Sequence, residues 1–338
     1  MEMNKEDEIN QVNVGAPHLV ILGAGASYAA LPVGDKNGRR LPLMDNLIET
    51  LDIKGLIESS GMDFSSNNFE IIYDQLFNNN EAKNIREELE RIVYGYFAEM
   101  ELPDTPTIYD HLLLSLRGKD VVATFNWDPL LIQAYKRNGR RYELPKLLFL
   151  HGNVAVGHCP DGHIMGNNGE VCGQCGKRLV PTRLLYPIGN KDYNLDEFIS
   201  RQWITFQHVL EKAFMITIFG YGAPVSDAGA IKLMKSAWSG KRKRELEETE
   251  IIDIKSEEEL IKTWKPFIFS HHYRIKKTFY DSWIAKHPRR TGEAYLNQFI
   301  EAKFIEDNPL PKDAGFDALW QWFDVLQAVE KTKRVDPC

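Results

Sequence analysis

The chain has 338 residues, of which 43% are hydrophobic, and its formal net charge is -7 at pH 7. This length and composition support a sizeable buried core in one large domain or two smaller ones. The negative net charge argues against general electrostatic attraction to nucleic acid. The one dense basic run, residues 241–244, is followed at once by glutamates, which is typical of a solvated helix end or loop.

The sequence carries no sign of a membrane segment or a secretory signal. No apolar stretch reaches the roughly 20 residues that a membrane-spanning helix requires, and the first residues are polar and acidic. We therefore expect a cytoplasmic protein. Residues 1–17 are expected to form an N-terminal arm that is disordered or loosely docked.

Short apolar runs that alternate with amphipathic stretches predict the central fold. Buried parallel strands are predicted over residues 18–22, 121–125, 147–150, 215–219 and 250–254. Helices are predicted over residues 43–58, 81–99, 106–117 and 196–214. This alternation predicts an α/β protein with a Rossmann-like, doubly wound parallel sheet and right-handed crossovers.

Two insertions interrupt the alternation. The first, residues 41–117, is mostly helical, and the second, residues 156–185, is rich in glycine and holds most of the cysteines. Both are expected beyond the carboxyl ends of strands, where open α/β sheets bind ligands. The main domain is expected to span residues 18–255. Residues 256–338 are expected to form a helical segment that packs on the core or forms a subunit interface.

A glycine-rich turn follows the first predicted strand and consists of Gly23, Ala24, Gly25, Ala26 and Ser27. Such a turn lets backbone N–H groups approach a pyrophosphate closely. The third glycine of the dinucleotide fingerprint is absent, so a tight turn without a ligand is an equally good interpretation. Ser27 either caps the following helix or hydrogen-bonds a phosphate. Residues 31–40 are predicted to form a mobile loop that closes over a cofactor.

Polar side chains end the second and third predicted strands. Thr124, Asn126 and Asp128 stand where the second strand opens into a helix, and helix capping is the alternative role for Asp128. The Asn126 amide needs hydrogen-bond partners, which a ribose or a bound water would supply. His151 ends the next strand. It is either a structural residue or a general base for a sugar hydroxyl, since its ordinary pKa is near neutral.

The cysteines between the third and fourth predicted strands have the spacing of a zinc knuckle. Cys172 and Cys175 are separated by two residues, so one turn points both thiolates at a single ion. Cys159 is the natural third ligand, and three cysteines so close together in a reducing compartment indicate metal more than disulfides. His163 is the first choice for the fourth ligand and His158 the second. A metal-free loop is the alternative, and a bound zinc ion would be structural.

The fourth and fifth predicted strands also end in polar or small residues. Gly220 and Gly222 follow the fourth strand, and Ser226 and Asp227 then begin a helix, for which simple N-capping is an alternative explanation. Asp253 lies in the fifth strand. It either reaches an adenine-side ribose or is an ordinary edge-strand residue.

Taken in order, these motifs resemble the sirtuin (SIR2) superfamily over residues 18–255. The matching segments are residues 23–27, 124–128, 151–152 and 220–227. The resemblance implies that the two glycine turns hold the NAD+ phosphates. It further implies that Asn126 contacts the nicotinamide-side ribose and an ordered water, that Asp128 binds the nicotinamide carboxamide, and that His151 is the general base for the ribose hydroxyls.

The segments around the cysteines distinguish two sirtuin reactions. In the family, attack by an acyl-lysine carbonyl gives deacylation, whereas attack by water gives NAD+ hydrolysis. This chain lacks the Phe-Gly-Glu segment that follows the zinc module of deacylases, and it lacks their Ala-x-x-Gly-x-Pro-x-Phe-Arg loop. It also has three cysteines where sirtuins usually have four. It therefore resembles the SIR2-like NAD+ hydrolases of bacterial antiviral defence more closely.

The resemblance implies hydrolysis of NAD+ to nicotinamide and ADP-ribose, which depletes NAD+ when a trigger appears. NAD+ is then a substrate and Zn²⁺ a structural ion. The alternatives are a protein-lysine deacylase and a non-catalytic subunit that senses NAD or ADP-ribose. No sensor domain is evident, so we expect a homo-oligomer and a separate partner protein as sensor or activator.

Overall fold

The computed structural model of the protein describes residues 2–189, 191–238, 247–267 and 273–333. The basic run at residues 241–244 lies outside the described residues. So does Cys338, the last residue of the sequence, which we interpret as an incidental free thiol.

The strands are β1 (Glu2–Met3), β2 (His18–Leu22), β3 (Val121–Thr124), β4 (Lys146–Phe149), β5 (Val156–His158), β6 (Met165–Asn167), β7 (Val180–Pro181), β8 (Met215–Phe219), β9 (Glu248–Ile252), β10 (Tyr273–Lys276) and β11 (Phe304–Ile305). The helices are α1 (Lys5–Ile9), α2 (Ala24–Ala30), α3 (Leu47–Thr50), α4 (Lys54–Glu58), α5 (Phe69–Phe77), α6 (Lys83–Ala98), α7 (Ile108–Leu114), α8 (Leu130–Gly139), α9 (Glu197–Lys212), α10 (Ala228–Trp238), α11 (Glu257–Trp264), α12 (Trp283–Lys286), α13 (Thr291–Tyr295) and α14 (Phe316–Thr332). Short 3₁₀ turns span Asn80–Ala82, Val225–Asp227, Lys265–Phe267 and Phe279–Asp281, and a π-helical turn spans Leu296–Ile300.

Six parallel strands form the central sheet in the order β10-β9-β8-β2-β3-β4. Numbered by their sequence in the chain, these strands run 6-5-4-1-2-3, which is the order of the Rossmann fold. The order reverses between β2 and β8, and ligands of such sheets bind in the crevice beyond the strand ends at this switch point. The predicted fold class, a doubly wound parallel α/β sheet, is confirmed.

The two central strands, β2 and β8, are largely apolar and lie in the interior of the protein. Every residue of β2 and of β8 is buried, as expected for the centre of a parallel sheet. Helix α9 begins after Asp196, whose side chain caps it by accepting a hydrogen bond from the Ile199 N–H. The indole Nε1 of Trp203 donates to the carbonyl of Leu150 at 3.1 Å, which fixes α9 against the end of β4.

The first insertion is helical, but the single predicted helix over residues 43–58 is wrong. Two short helices, α3 and α4, replace it. Asp52 lies between them with a φ of 53°, in the left-handed region that ends helices rather than continues them. The rest of the insertion is formed by α5, α6 and α7.

The region after Ile254 was expected to be largely helical, yet it supplies the sixth strand of the sheet. Strand β10 pairs in parallel with β9 at the sheet edge. Its sequence, Tyr-Arg-Ile-Lys, is only half-buried, so it lacks the apolar run that marks an interior strand. Strand β9 ends at Ile252, which leaves Asp253 just beyond the strand rather than within it.

The N-terminal arm is docked, which corrects the expectation of a disordered or loosely attached segment. Strand β1 pairs with β11 near the other end of the chain. Helix α1 buries Glu8, whose carboxylate lies 3.0 Å from Nδ1 of His287. The guanidinium of Arg290 donates to the carbonyl of Ile9 at 3.0 Å.

Helix α14 packs on the same core as the sheet. Leu319, Phe323 and Leu326 are buried in the apolar cluster that includes β2, and the Trp320 indole donates to the side chain of Asn138 at 2.9 Å. None of the described helices has the length and apolar character that a membrane crossing requires.

Candidate functional site

The two glycine turns lie against each other at the switch point between β2 and β8. The Gly25 N–H donates to the carbonyl of Gly220 at 2.9 Å. A Cβ on Gly220, whose φ is +61°, would lie 2.3 Å from the backbone nitrogen of Ala26, and a Cβ on Gly23 would lie 2.4 Å from Cα of Tyr221. Close approach of two backbones therefore requires glycine here, whatever ligand the turns bind.

A buried hydrogen-bonded group, the Asn126 cluster, lies beside these turns and consists of Ser27, Tyr109, Asn126 and Asp128. The Asn126 amide donates to the carbonyl of Gly23 at 2.8 Å and to Oγ of Ser27 at 2.9 Å. Ser27 Oγ donates to Oδ2 of Asp128 at 2.7 Å and also contacts the Tyr109 hydroxyl. Three segments that are distant in sequence thus share one polar network near the carboxyl ends of β2 and β3.

Tyr109 is the member of this cluster that sequence reasoning missed. It lies on α7 in the helical insertion and is buried, with its hydroxyl 3.3 Å from the Asn126 amide nitrogen. Burial raises its pKa above the ordinary value, so the hydroxyl stays protonated and able to donate. Its only sequence signal was an aromatic residue in an apolar helix, which any core tyrosine gives.

Asp128 caps the following helix with one oxygen and joins the Asn126 cluster with the other. Its Oδ1 accepts from the N–H of Leu130 at 3.1 Å at the start of α8, while its Oδ2 belongs to the Asn126 cluster. Burial raises the pKa of Asp128 to about 6, even though hydrogen bonds from Ser27 and Leu130 oppose the shift. The carboxyl group can therefore change its protonation state close to neutral pH.

The neighbouring turn residues are structural partners of this cluster. Oγ1 of Thr124 accepts from the N–H of Asn126 at 3.0 Å, which fixes the turn after β3. Asn153, which sequence reasoning also missed, donates to the carbonyl of Asp128 at 2.6 Å. Gly152 has a φ of +76°, and a Cβ there would lie 2.0 Å from the carbonyl oxygen of Arg183, so the chain after the cysteines runs directly beside it.

His151 is buried at the end of β4 and has an unsatisfied ring nitrogen. Its ring packs edge-on against Phe125 at 4.8 Å and roughly parallel to Tyr193 at 6.1 Å. Among the described residues its Nε2 has no hydrogen-bond partner. Burial lowers the pKa of His151 to about 3, so the imidazole is neutral near physiological pH. A buried polar atom without a partner is costly and marks a place where a ligand can bond.

Asp227 faces His151 from the other side of the switch point. Its Oδ1 lies 3.7 Å from Nε2 of His151 and accepts a hydrogen bond from Nζ of Lys191. Its Oδ2 accepts from the Tyr221 hydroxyl at 2.8 Å. Burial alone would raise the pKa of Asp227, but His151 and Lys191 hold it below its ordinary value. Sequence reasoning did not identify Lys191 or Tyr221 as partners.

Four predicted cofactor residues remain, namely Ser226, Ala24, Gly222 and Asp253. Ser226 is buried, its N–H donates to Glu70 at 3.0 Å, and its Oγ has no partner among the described residues. Ala24 and Gly222 are exposed beside the glycine turns. Asp253 accepts from the N–H of Lys255 at 3.0 Å and lies outside the Asn126 cluster.

The loop at residues 31–40, which was expected to be mobile, is tied to the insertion. Oδ1 of Asp35 accepts from the N–H of Arg39 at 2.7 Å, which closes the loop on itself. Oδ2 of Asp35 accepts from the N–H of Glu101 at 3.1 Å, and the Lys36 N–H donates to the carbonyl of Glu101 at 3.0 Å.

The cysteine-rich insertion brings four metal-binding donors to one point. Ligand atoms of Cys159, His163, Cys172 and Cys175 all lie within 4.8 Å of one another. Sγ of Cys159 is 3.4 Å from Sγ of Cys175 and 3.6 Å from Nδ1 of His163. A tetrahedral zinc site would place such atoms about 3.6–3.8 Å apart, so the four residues could hold a zinc ion. His158, the second choice, instead stacks on Phe198 at 5.4 Å.

Residues 184–189 cross from this module back over the site. The Leu185 N–H donates to the carbonyl of His151 at 2.9 Å. The Tyr186 ring lies 5.0 Å from the rings of both Tyr73 and Trp127, and its hydroxyl donates to the carbonyl of Glu90 at 3.0 Å. The crevice is therefore closed between the module and the helical insertion.

Solved structures of Sir2 homologues are similar to this chain. A Sir2 homologue in complex with NAD has 13% identity and a TM-score of 0.39, covering 96% of this chain and 92% of its own. A mutant Sir2 homologue in complex with ADP-ribose has 13% identity and a TM-score of 0.41, covering 99% of this chain and 100% of its own. No protein-family model matches the sequence, and no curated protein matches it.

Proposed function

We propose that the protein is an NAD+ hydrolase of the SIR2 type, which cleaves NAD+ to nicotinamide and ADP-ribose. The observation that carries this proposal is the position of Asn126, Asp128 and His151 at the carboxyl ends of β3 and β4, beside the switch point. Rossmann sheets bind dinucleotides at this place. Helix capping explains the hydrogen bond between Asp128 and Leu130, but it does not explain why Nε2 of His151 lacks a partner among the described residues.

Each of these residues has a chemical role in the proposed reaction. Asn126, held by Gly23 and Ser27, orients the ribose and a water molecule. Asp128 hydrogen-bonds the carboxamide of nicotinamide, and neutral His151 accepts a proton from a ribose hydroxyl. The bond between nicotinamide and the ribose carbon breaks with its electrons leaving on nicotinamide. Water then adds to that carbon and loses a proton to solvent, and His151 returns the proton that it accepted to the ribose oxygen, which gives ADP-ribose.

The packing after the cysteines supports hydrolysis over deacylation. A deacylase binds its peptide as an added strand between the zinc module and the sheet, which needs a free backbone edge. Here Leu185 already donates to the carbonyl of His151, and Tyr186 lies against Tyr73 and Trp127. Protein-lysine deacylation and non-catalytic sensing of NAD or ADP-ribose are the alternative functions, and the nicotinamide-release experiment described below distinguishes them.

The burial of the site supports a triggered enzyme. Asn126 is 9% exposed, His151 5% and Asp128 3%, which fits a site that a dinucleotide reaches after the crevice opens. We further infer, from the resemblance of the motifs, an effector of antiphage defence that acts by NAD+ depletion after activation by a partner protein or by assembly into a homo-oligomer. Light scattering at micromolar concentration tests the assembly, and a stable monomer under activating conditions would contradict it.

The deciding experiment follows nicotinamide release from NAD+ by the full chain, in vitro and in cells challenged with phage. We expect release without any acylated peptide. Asn126→Ala and His151→Ala should each lower the rate about 100-fold or more. His208→Ala, which changes an exposed histidine on α9, is the matched control and should leave the rate unchanged.

Other outcomes select the alternatives. Turnover only with an acylated peptide would indicate a deacylase. Tight ADP-ribose binding without cleavage under any trigger would indicate a sensor. Cleavage that survives both active-site substitutions would refute the assignment of the site.

A further inference from the structure

One carboxylate oxygen in the crevice has two competing partners. Oδ1 of Asp227 accepts from Nζ of Lys191 and also faces Nε2 of His151 at 3.7 Å. That separation is too long for a hydrogen bond but short for an interaction between charges. Oδ2 of the same carboxylate is anchored by the Tyr221 hydroxyl at 2.8 Å. One oxygen of Asp227 is thus fixed by Tyr221, whereas the other oxygen is shared between Lys191 and His151.

The burial of this trio makes the competition strong. The side chains of Lys191 and Asp227 are each 4% exposed and that of His151 is 6% exposed. Charges interact more strongly away from water, so a neighbouring ammonium disfavours protonation of His151 while a neighbouring carboxylate favours it. Both effects act on His151 in this structure, Asp227 raising its pKa and Lys191 lowering it.

The other groups packed around His151 are neutral or more remote. Phe125 and Tyr193 contact its ring, and Tyr221 stacks on Phe125 at 4.1 Å. Glu70 reaches this region only through the backbone N–H of Ser226. Asp227 and Lys191 are therefore the charged side chains that act directly on the imidazole among the described residues.

We propose that Asp227 is a positioning residue for His151 and that Lys191 withholds it until the dinucleotide binds. The proposal rests on the proposed function. The pyrophosphate of the incoming substrate is a rival anion for the Lys191 ammonium. Once Lys191 turns to the phosphate, Oδ1 of Asp227 becomes the missing partner of Nε2 by accepting the Nε2–H of His151. This leaves Nδ1 to accept the ribose proton, and the carboxylate stabilises the protonated form, as it does in a catalytic triad.

A purely structural ion pair would behave differently. If Lys191 and Asp227 only fasten two segments together, removing either one lowers stability and shifts the pKa of His151 through the lost charge alone, and ADP-ribose leaves the titration of His151 unchanged. The response of the His151 titration to ADP-ribose therefore separates the two interpretations, and it can be observed without turnover.

The first test is an NMR titration of the full-length protein with isotope-labelled histidines, in which His151→Gln identifies the signal. Lys191→Gln should raise the pKa of His151 by at least about one unit, because Asp227 then acts on the imidazole alone. Adding ADP-ribose to the wild type should raise it in the same direction, and this response should be lost in Asp227→Asn. Lys191→Arg keeps the cation and should resemble the wild type before ADP-ribose is added.

Lys232→Gln is the matched control, because Lys232 is exposed on α10 and the substitution makes the same charge change. It should leave the His151 titration unchanged. If ADP-ribose does not move the His151 titration of the wild type, or moves it equally in Asp227→Asn, the pair is structural and the proposal is overturned.

The second test is the pH dependence of NAD+ cleavage. Asp227→Asn should lower kcat about tenfold or more with little change in KM. The acidic limb of its kcat profile should move to lower pH, because His151 loses the carboxylate that favours its protonated form. Lys191→Gln should instead raise KM, because a phosphate contact is lost. An unmoved acidic limb in Asp227→Asn would contradict the proposal. Absence of cleavage in every variant would count against the proposed function, while the NMR titration would still decide the pairing.

Discussion

The crevice and the zinc module hold polar side chains together in opposite ways. Ser27, Tyr109 and Asn126 come from separate parts of the chain and meet because a continuous apolar core brings β2, β3 and α7 together. The module draws its donors from one stretch, Cys159 to Cys175, around a buried apolar cluster of only Cys159, Cys172 and Leu179. The fold therefore builds the crevice, whereas the metal donors themselves form the interior of the module.

This difference predicts where ligand binding stabilises the structure. The hydrogen bonds of the Asn126 cluster join groups of the protein itself, so we expect this cluster to be ordered whether or not a ligand is bound. The three-stranded sheet β5–β7 is too small to be stabilised by apolar burial alone, and metal binding to such a unit contributes directly to its folding free energy.

The crevice and the zinc module are therefore expected to differ most in their response to metal removal. Bound zinc contributes on the order of 10 kcal/mol in small structural sites. Chelation or Cys172→Ser should abolish amide exchange protection within residues 156–181 while β2 and β8 keep theirs. Hydrogen exchange with mass spectrometry measures both regions in one sample.

Two histidine variants make this test specific. His163→Ala should lose the metal, whereas His158→Ala should retain it, because His158 packs on Phe198 outside the donor group. Purified wild-type protein with well under one zinc per chain would contradict the metal site itself.

The same difference explains which parts of the structure could be predicted from the sequence. Cys172 and Cys175 could be recognised from spacing alone, because both lie on one turn. Only the folded arrangement could choose between His163 and His158. The interior strands were predictable as buried apolar runs, but β10 was not, since an edge strand needs no such run.

Long-range partners explain most of what the sequence could not predict in the crevice. Asn126 and His151 were predicted from their places at the ends of apolar strands and from the order of the motifs along the chain. Tyr109 and Lys191 gave no such signal: one lies in an apolar helix and the other in a polar segment. Their partners, Ser27 and Asp227, are set by which elements the sheet order makes adjacent.

The next largest effect is expected at the contact between the two glycine turns. Gly220→Ala should lower the free energy of unfolding by roughly 2–5 kcal/mol, because a side chain is disfavoured at its positive φ and would overlap Ala26. Gly222→Ala is the matched control, since no atom lies within 4 Å of the added Cβ. It should change stability by less than about 0.5 kcal/mol.

Urea unfolding of both glycine variants measures this difference, and metal content should stay at the wild-type level in each. Equal stability of Gly220→Ala and Gly222→Ala would mean that backbone approach does not constrain the crevice. The fold would then hold the crevice less rigidly than we propose.

The smallest effect concerns the hydroxyl of Tyr109. Tyr109→Phe removes one partner from Ser27 and Asn126 and should cost about 1–2 kcal/mol of unfolding free energy. Because Tyr109 and Ser27 share a network, the loss in the double variant with Ser27→Ala should differ from the sum of the single losses by about 0.5 kcal/mol or more.

Tyr142→Phe provides the matched control for this cycle. Its hydroxyl donates to the carbonyl of Trp320 and to Asp324, away from the Asn126 cluster, so its effect should add to that of Ser27→Ala within about 0.5 kcal/mol. Additive losses for Tyr109→Phe and Ser27→Ala as well would show that the hydroxyls act independently. The crevice would then be ordered by apolar packing alone, and its polar residues would depend on a bound ligand in the way that the module depends on its metal.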